Sequence, residues 1–131
     1  MPDDRLTLLG QSVDDLPALS ALLQDATLRT QDLAFDARAR RLVLLVNRYR
    51  WESPNSRVRA ALRLETITAV QHQNWHDDAV LNLLSLAQDG DWLVLVFAGG
   101  AALRARAEVI DIILEDIAPP WPTGRVPQHP A

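Results

Sequence analysis

The chain has no cysteine and no lysine, and only five glycines, one tyrosine and one methionine among its 131 residues. Without cysteine there can be no disulfide, thiolate zinc site, iron–sulfur ligation or cysteine nucleophile, which fits a reducing, cytoplasmic setting. The glycines, at positions 10, 90, 99, 100 and 124, form neither a dinucleotide fingerprint nor a phosphate-cradling loop. None of the five serines sits in a nucleophile elbow. These gaps point to a non-enzymatic protein that needs no cofactor. Long hydrophobic runs are missing too: the longest apolar or glycine stretch, Trp92 to Leu103, has twelve residues, against the ~20 of a spanning helix. The opening Met-Pro-Asp-Asp-Arg carries acid where a signal peptide carries base. Neither export nor a membrane partner is expected.

What remains is a chain with 48% apolar and 23% charged residues, enough to bury a core at this length without a staple. All thirteen basic residues are arginine, and their distribution is uneven. Residues 1–37 hold seven acids against two arginines, net −5; residues 38–63 hold eight arginines against Glu52 alone, net +7; residues 64–131 hold nine acids against three arginines, net −6. One basic segment lies between two acidic ones.

Ser12 with an acid three residues on, followed by Val13, Leu16, Leu19, Leu22, Leu23 and Ala26 at helical spacing, predicts a helix over 13–24. Pro17 falls near the end of its first turn, where a missing donor is tolerated. Beyond it the texture changes to strands. Thr27–Asp36 reads as a strand bent near Gln31-Asp32, because Leu28 and the pair Leu33 and Phe35 are in opposite phase. Strands are expected near 41–51, 57–68, 80–87, 92–98 and 101–106, with turns at the Pro54-Asn55 loop, at Asp89-Gly90 and at Gly99-Gly100. Val109, Ile110, Ile113, Leu114 and Ile117 then fit a helix over 108–117 that Pro119-Pro120 must end. Glu115 and Asp116 near the C-terminus of that helix would oppose its dipole.

With no helix between successive strands, the expectation is one α+β domain over 1–118: an antiparallel, strongly bent sheet or partial barrel of about six to seven strands, with an N-terminal helix and a C-terminal packing helix. This element order resembles the pleckstrin-homology superfold. Five of the eight prolines follow Ile117, so 119–131 reads as a proline-rich tail. The words Leu23-Gln-Asp-Ala26, Asn47-Arg-Tyr-Arg-Trp-Glu52 and Leu95-Val-Phe-Ala-Gly-Gly100 resemble an uncharacterised bacterial domain-of-unknown-function family of similar length, a resemblance that carries over no catalytic or binding residue.

The arginine hairpin is the candidate site. If the four residues 53–56 set its register, Trp51, Tyr49, Asn47 and Leu45 face Val58, Ala60, Leu62 and Leu64 on the core side. The opposite side is then an arginine-rich face of Arg48, Arg50, Arg57, Arg59 and Arg63, with Arg50 directly across from Arg59. Opposed like charges destabilise a sheet by up to about 1 kcal/mol unless neutralised. The neutraliser is either the protein's own acids, such as Glu52 and Glu65, or an anionic ligand such as a phosphorylated metabolite or nucleic acid, which arginine's planar fork suits. Placing Tyr49 and Trp51 on the core side takes away the stacking surface a nucleic acid would use. His72, His76, Asp77 and Asp78 are weak candidates for a metal site, because the segment links two strands and its spacing matches no zinc signature. Trp121, in Pro-Pro-Trp-Pro, either pins the tail to the body or serves as a recognition peptide. The preferred function is a protein–protein interaction or scaffolding module, acting on a protein partner or a second copy; the alternative is anion binding on the arginine face.

Overall fold

The computed structural model describes residues 5–123 and 127. Eleven strands are formed: β1 (Thr7–Gly10), β2 (Thr27–Arg29), β3 (Leu33–Asp36), β4 (Arg41–Tyr49), β5 (Ser56–Leu64), β6 (Ile67–Gln73), β7 (Val80–Asp89), β8 (Trp92–Phe97), β9 (Ala102–Ala107), β10 (Ile112–Asp116) and β11 (Trp121–Pro122). They form one sheet in the order β1-β10-β5-β4-β2-β7-β8-β9-β6, with β3 beside the first half of β4 and β11 beside the start of β5. Every pair of neighbouring strands is antiparallel.

One α-helix, α1 (Leu16–Leu23), follows a 3-10 turn at Val13–Asp15. The serine-plus-acid signal holds it in place: an Asp15 carboxylate oxygen accepts hydrogen bonds from the backbone N–H groups of Gln11 (2.9 Å) and Ser12 (3.2 Å). Leu16, Leu19 and Leu23 of α1 are buried, and the Ser20 hydroxyl accepts from the Leu86 N–H at 3.0 Å, fixing the helix against β7. At Gly10 the chain passes close to α1: a Cβ there would stand 2.5 Å from Leu19 Cδ1, and that buried side chain would have to shift.

The sheet closes round its core by turning a corner with two strands at once. β5 passes into β6 through Glu65 and Thr66, the latter at φ 59°, and β9 passes into β10 through residues 108–111. Hydrogen bonds from Glu65 N to the Asp111 carbonyl (2.9 Å) and from Glu108 N to the Thr66 carbonyl (3.1 Å) lock the two connections together. The β5–β10 ribbon thus continues as β6–β9 on the other side of the core. Between the two sides lie Leu42, Leu44, Val46, Leu62, Leu64, Leu83, Leu95, Leu103, Ile112 and Leu114, none of them more than 1% exposed.

This architecture corrects the expected fold class. The C-terminal helix over 108–117 does not exist: that stretch is a connection followed by strand β10, inserted between β1 and β5. Ile112, Leu114 and Asp116 point inward, Ile113 is half-buried, and Val109 (60%) and Ile117 (42%) are exposed, a period of two rather than 3.6. With eleven strands and one short helix among the described residues, the fold is neither a six-to-seven-stranded α+β domain nor pleckstrin-homology-like. Thr7–Gly10 supplies a further strand, β1, and the single strand expected near 57–68 is two, β5 and β6, broken at the corner. No helix among the described residues is long and apolar enough to cross a membrane.

Candidate functional site

The β4–β5 hairpin carries the arginines, and its register decides which way each one points. Leu42 pairs with Leu64, Leu44 with Leu62, Val46 with Ala60, Arg48 with Val58 and Tyr49 with Arg57. The connection therefore runs over 50–55 and not 53–56, a shift of three residues from the expected register. An odd shift exchanges the faces of one strand relative to the other. On β4 the inward side is Leu42, Leu44, Val46 and Arg48; on β5 it is Val58, Ala60, Leu62 and Leu64, as expected. Arg50 and Arg59 are not opposed, since Arg59 faces Asn47 and Arg50 lies in the turn.

Arg48 sits in the core with its side chain fully buried. Its Nε and Nη2 donate to Asp116 Oδ1 and Oδ2, both at 2.9 Å, and its Nη1 and Nη2 donate to Glu52 Oε1 (2.9 Å) and Oε2 (2.7 Å). One guanidinium thus bridges two carboxylates, each held two-pronged in the geometry that arginine's fork favours. The side chain of Asp116 is equally buried, and its Oδ2 also accepts from the Leu6 N–H at 2.8 Å, so the clamp ties β4 to β10 and to the segment leading into β1. Burial alone would make the guanidinium easier to deprotonate, but hydrogen bonds and charge from Glu52 and Asp116 more than reverse this and raise its pKa. The same hydrogen bonds hold the Glu52 carboxyl below its ordinary value against the opposing effect of burial, with the nearby Arg50 charge contributing.

The other four arginines are dispersed. Arg50, buried, donates from Nη1 to Ser56 Oγ (3.2 Å), and its Nε has no hydrogen-bond partner among the described residues. Arg57 donates to the carbonyls of Asn47 (3.1 Å) and Asp25 (3.3 Å), with its guanidinium carbon 5.7 Å from the centre of the Tyr49 ring. Burial lowers its pKa, with Asp25 and Tyr49 opposing. Arg59 reaches Asn47 Oδ1 and Asp32 Oδ2, both at 3.3 Å. Arg63 has its Nε 3.0 Å from Glu65 Oε1, an oxygen shared with Arg41 Nε at 2.6 Å. The structure does not bring the five together as one basic surface: Arg48 faces two carboxylates, Arg59 faces Asp32, and Arg63 shares Glu65 with Arg41. Tyr49 is fully buried although it lies on the outward side of β4, because Trp51 packs edge-on to it at 4.7 Å and its hydroxyl accepts from the Asn55 N–H. Trp51 is in the turn, 36% exposed, with its Nε1–H donating to the Gln24 carbonyl at 3.1 Å.

His72 lies on β6, exposed, 5.5 Å from the ring of Trp75, which is half-buried against Phe97. His76, Asp77 and Asp78 are exposed in the following connection, and no group of three or more His, Asp or Glu among the described residues is placed to hold a metal ion. Trp121 pairs with Arg57 through β11 and is 39% exposed, and Thr123 N donates to the Asn55 carbonyl at 2.8 Å.

A second surface has no counterpart among the expected sites. Along β8, Leu93, Leu95 and Phe97 are buried, so Trp92, Val94 and Val96 stand on the outer face. The register sets three rows across it: Arg106–Trp92–Asp89, Arg104–Val94–Ala87 and Ala102–Val96–Ser85. Apolar side chains occupy the central strand, arginines flank it on β9 and Asp89 flanks it on β7. The Arg104 guanidinium carbon lies over Trp92, 4.1 Å from the ring centre, with Nε donating to Gln71 Oε1 at 2.8 Å. The sequence of β8 carries no signal for this face, since all six residues from Trp92 to Phe97 are apolar and only the burial in the folded sheet separates its two sides.

No curated protein and no solved structure matches the chain. One family model does, over residues 6–129, from the segment leading into β1 to beyond β11. The chain belongs to the family described as protein of unknown function, DUF2948.

Proposed function

We propose that this domain is a non-enzymatic protein-interaction module whose contact surface is the outer face of β8 with β7 and β9. The observation that carries the reading is the row Trp92, Val94 and Val96 on the central strand of a sheet face that no described helix or strand covers, with Val96 40% exposed. Apolar side chains flanked by arginine and aspartate have the anatomy of an interface, an apolar centre inside a polar rim. Against the anion-binding alternative stand the carboxylates already facing Arg48, Arg59 and Arg63.

The test is an affinity capture with wild-type and Val96→Glu baits, followed by titration of the purified partner. The partner should bind wild type and an Arg59→Ser variant alike and lose Val96→Glu, with affinity changing little between ~50 and ~200 mM salt. A ligand indifferent to Val96→Glu whose affinity collapses over that salt range would overturn the reading in favour of anion binding.

A further inference from the structure

The three rows on the outer face have a property that a face built for an unrelated partner has no need of: they are self-complementary. Two copies of the sheet laid face to face about a two-fold axis running along β8 keep β8 over β8 and bring β9 of each copy over β7 of the other. Reading the register across that axis, Arg106 of one copy faces Asp89 of the second, and Asp89 faces the second Arg106. Trp92, Val94 and Val96 meet their own counterparts on the axis. Arg104, held over Trp92, falls opposite Ala87, whose methyl group leaves room for it.

We infer that this face is the interface of an isologous homodimer, with paired Arg106–Asp89 contacts on either side of a shared apolar strip. The inference rests on the interaction-module reading for the surface and adds the identity of the occupant. Charge complementarity selects a second copy: a two-fold interface makes every off-axis contact twice, residue i on j and j on i, and here the register puts opposite charges in those paired positions. Arg106 lies 3.5 Å from Asp91 in an exposed pair, and no ion pair reaches Asp89 among the described residues. Three strands at ~4.8 Å spacing and six residues at ~3.3 Å rise give a footprint of about 300 Å² per copy before side-chain relief is added. That size belongs with weak, transient association, so the dimer is concentration-dependent.

The experiment is sedimentation equilibrium of the whole chain over roughly 5–500 µM. Wild type should pass from monomer to dimer across the range. Arg106→Glu alone sets Glu against Asp89 twice, and Asp89→Arg alone sets Arg against Arg106 twice. Each should weaken dimerisation by ~10-fold or more. An equimolar mixture of the two variants restores both opposite-charge pairs in the heterodimer and should dimerise again. In wild type, dilution should also shift the backbone amide resonances of 92–96 and 102–106 while leaving those of β4 and β5 fixed, a measurement that needs no variant to fold. Wild type monomeric throughout, single variants that dimerise like wild type, or folded variants whose mixture stays monomeric would each overturn the homodimer. If wild type stays monomeric while a different protein still binds and loses Val96→Glu, only this inference fails and the interaction-module reading stands.

Discussion

The β4–β5–β10 region and the outer face of β7–β9 both carry arginines beside aromatic rings, and they use them in opposite ways. In the first, Arg48 is turned inward and matched by Asp116 and Glu52, while Arg57 is folded onto Tyr49 and backbone carbonyls. In the second, Arg104 and Arg106 stand on the surface beside a strip of apolar side chains. Density of charge along the sequence therefore says little about where charge is available to a partner. The +7 segment has its cations largely matched within the fold, whereas residues 80–107, with little net charge, present opposite signs in useful places.

Breaking the inward clamp should have the largest effect. Asp116→Ala leaves Arg48 buried with one carboxylate fewer and should cost about 3–5 kcal/mol in denaturant unfolding. Replacing the pair together, as Arg48→Met with Asp116→Leu, should cost less than Asp116→Ala alone, because no uncompensated charge is left in the core. Next comes the strand that binds the clamp: Leu114→Ala, at a fully buried site, should cost about 2–5 kcal/mol. Ile117→Ala should stay within about 0.5 kcal/mol, the pattern of a strand with one inward side and the reverse of what a helical stripe requires.

The pH dependence sharpens the same contrast. Glu52 has its folded pKa lowered by Arg48, so its contribution to stability is complete above its ordinary value of 4.5 and is lost as pH falls through the lowered one. Between pH 5 and pH 3, wild type should lose stability that Glu52→Gln does not. Arg59→Ala, which removes a partly exposed pair with Asp32, should cost only about 0–1 kcal/mol. Smallest of all, Val96→Glu should move the unfolding midpoint by no more than about 0.5 kcal/mol while abolishing association; a large loss of stability would mean that the β8 face is covered within the monomer.

Much of the strand order was legible in the sequence, because turn residues punctuate it: Asp89-Gly90 and Gly99-Gly100 mark the two turns of the β7–β8–β9 meander. The hairpin was legible but its register was not. Pro54 and Asn55 mark only the end of the β4–β5 connection, while Trp51, aromatic and strand-like in composition, belongs to the turn and covers Tyr49. Both sides of β4 are apolar up to residue 46, so alternation could not choose between them.

The C-terminal strand was misread for a related reason. Ile112, Leu114 and Asp116 alternate inward, and the third of these is charged, which hides the period from any scale that counts apolar residues. The acids that would have opposed a helix dipole at 115–116 were the available clue. Asp116 was placed for Arg48, sixty-eight positions earlier, and a partner at that separation leaves no local trace.

That separation has a kinetic consequence. While the chain is made from its N-terminus, β4 is complete long before residue 116 appears, and during that interval Arg48 has only Glu52 with which to leave water. Collapse of the β4–β5 hairpin around a half-matched guanidinium is unfavourable, so the early ribbon stays hydrated and reversible. Arrival of β10 supplies the missing carboxylate and the strand that fits beside β5 in one event, coupling closure of the core to the last third of the sequence. A fold gated in this way should refold slowly for its size, as long-range pairing dictates, with protection of the β4 amides appearing together with that of the β10 amides and not before it.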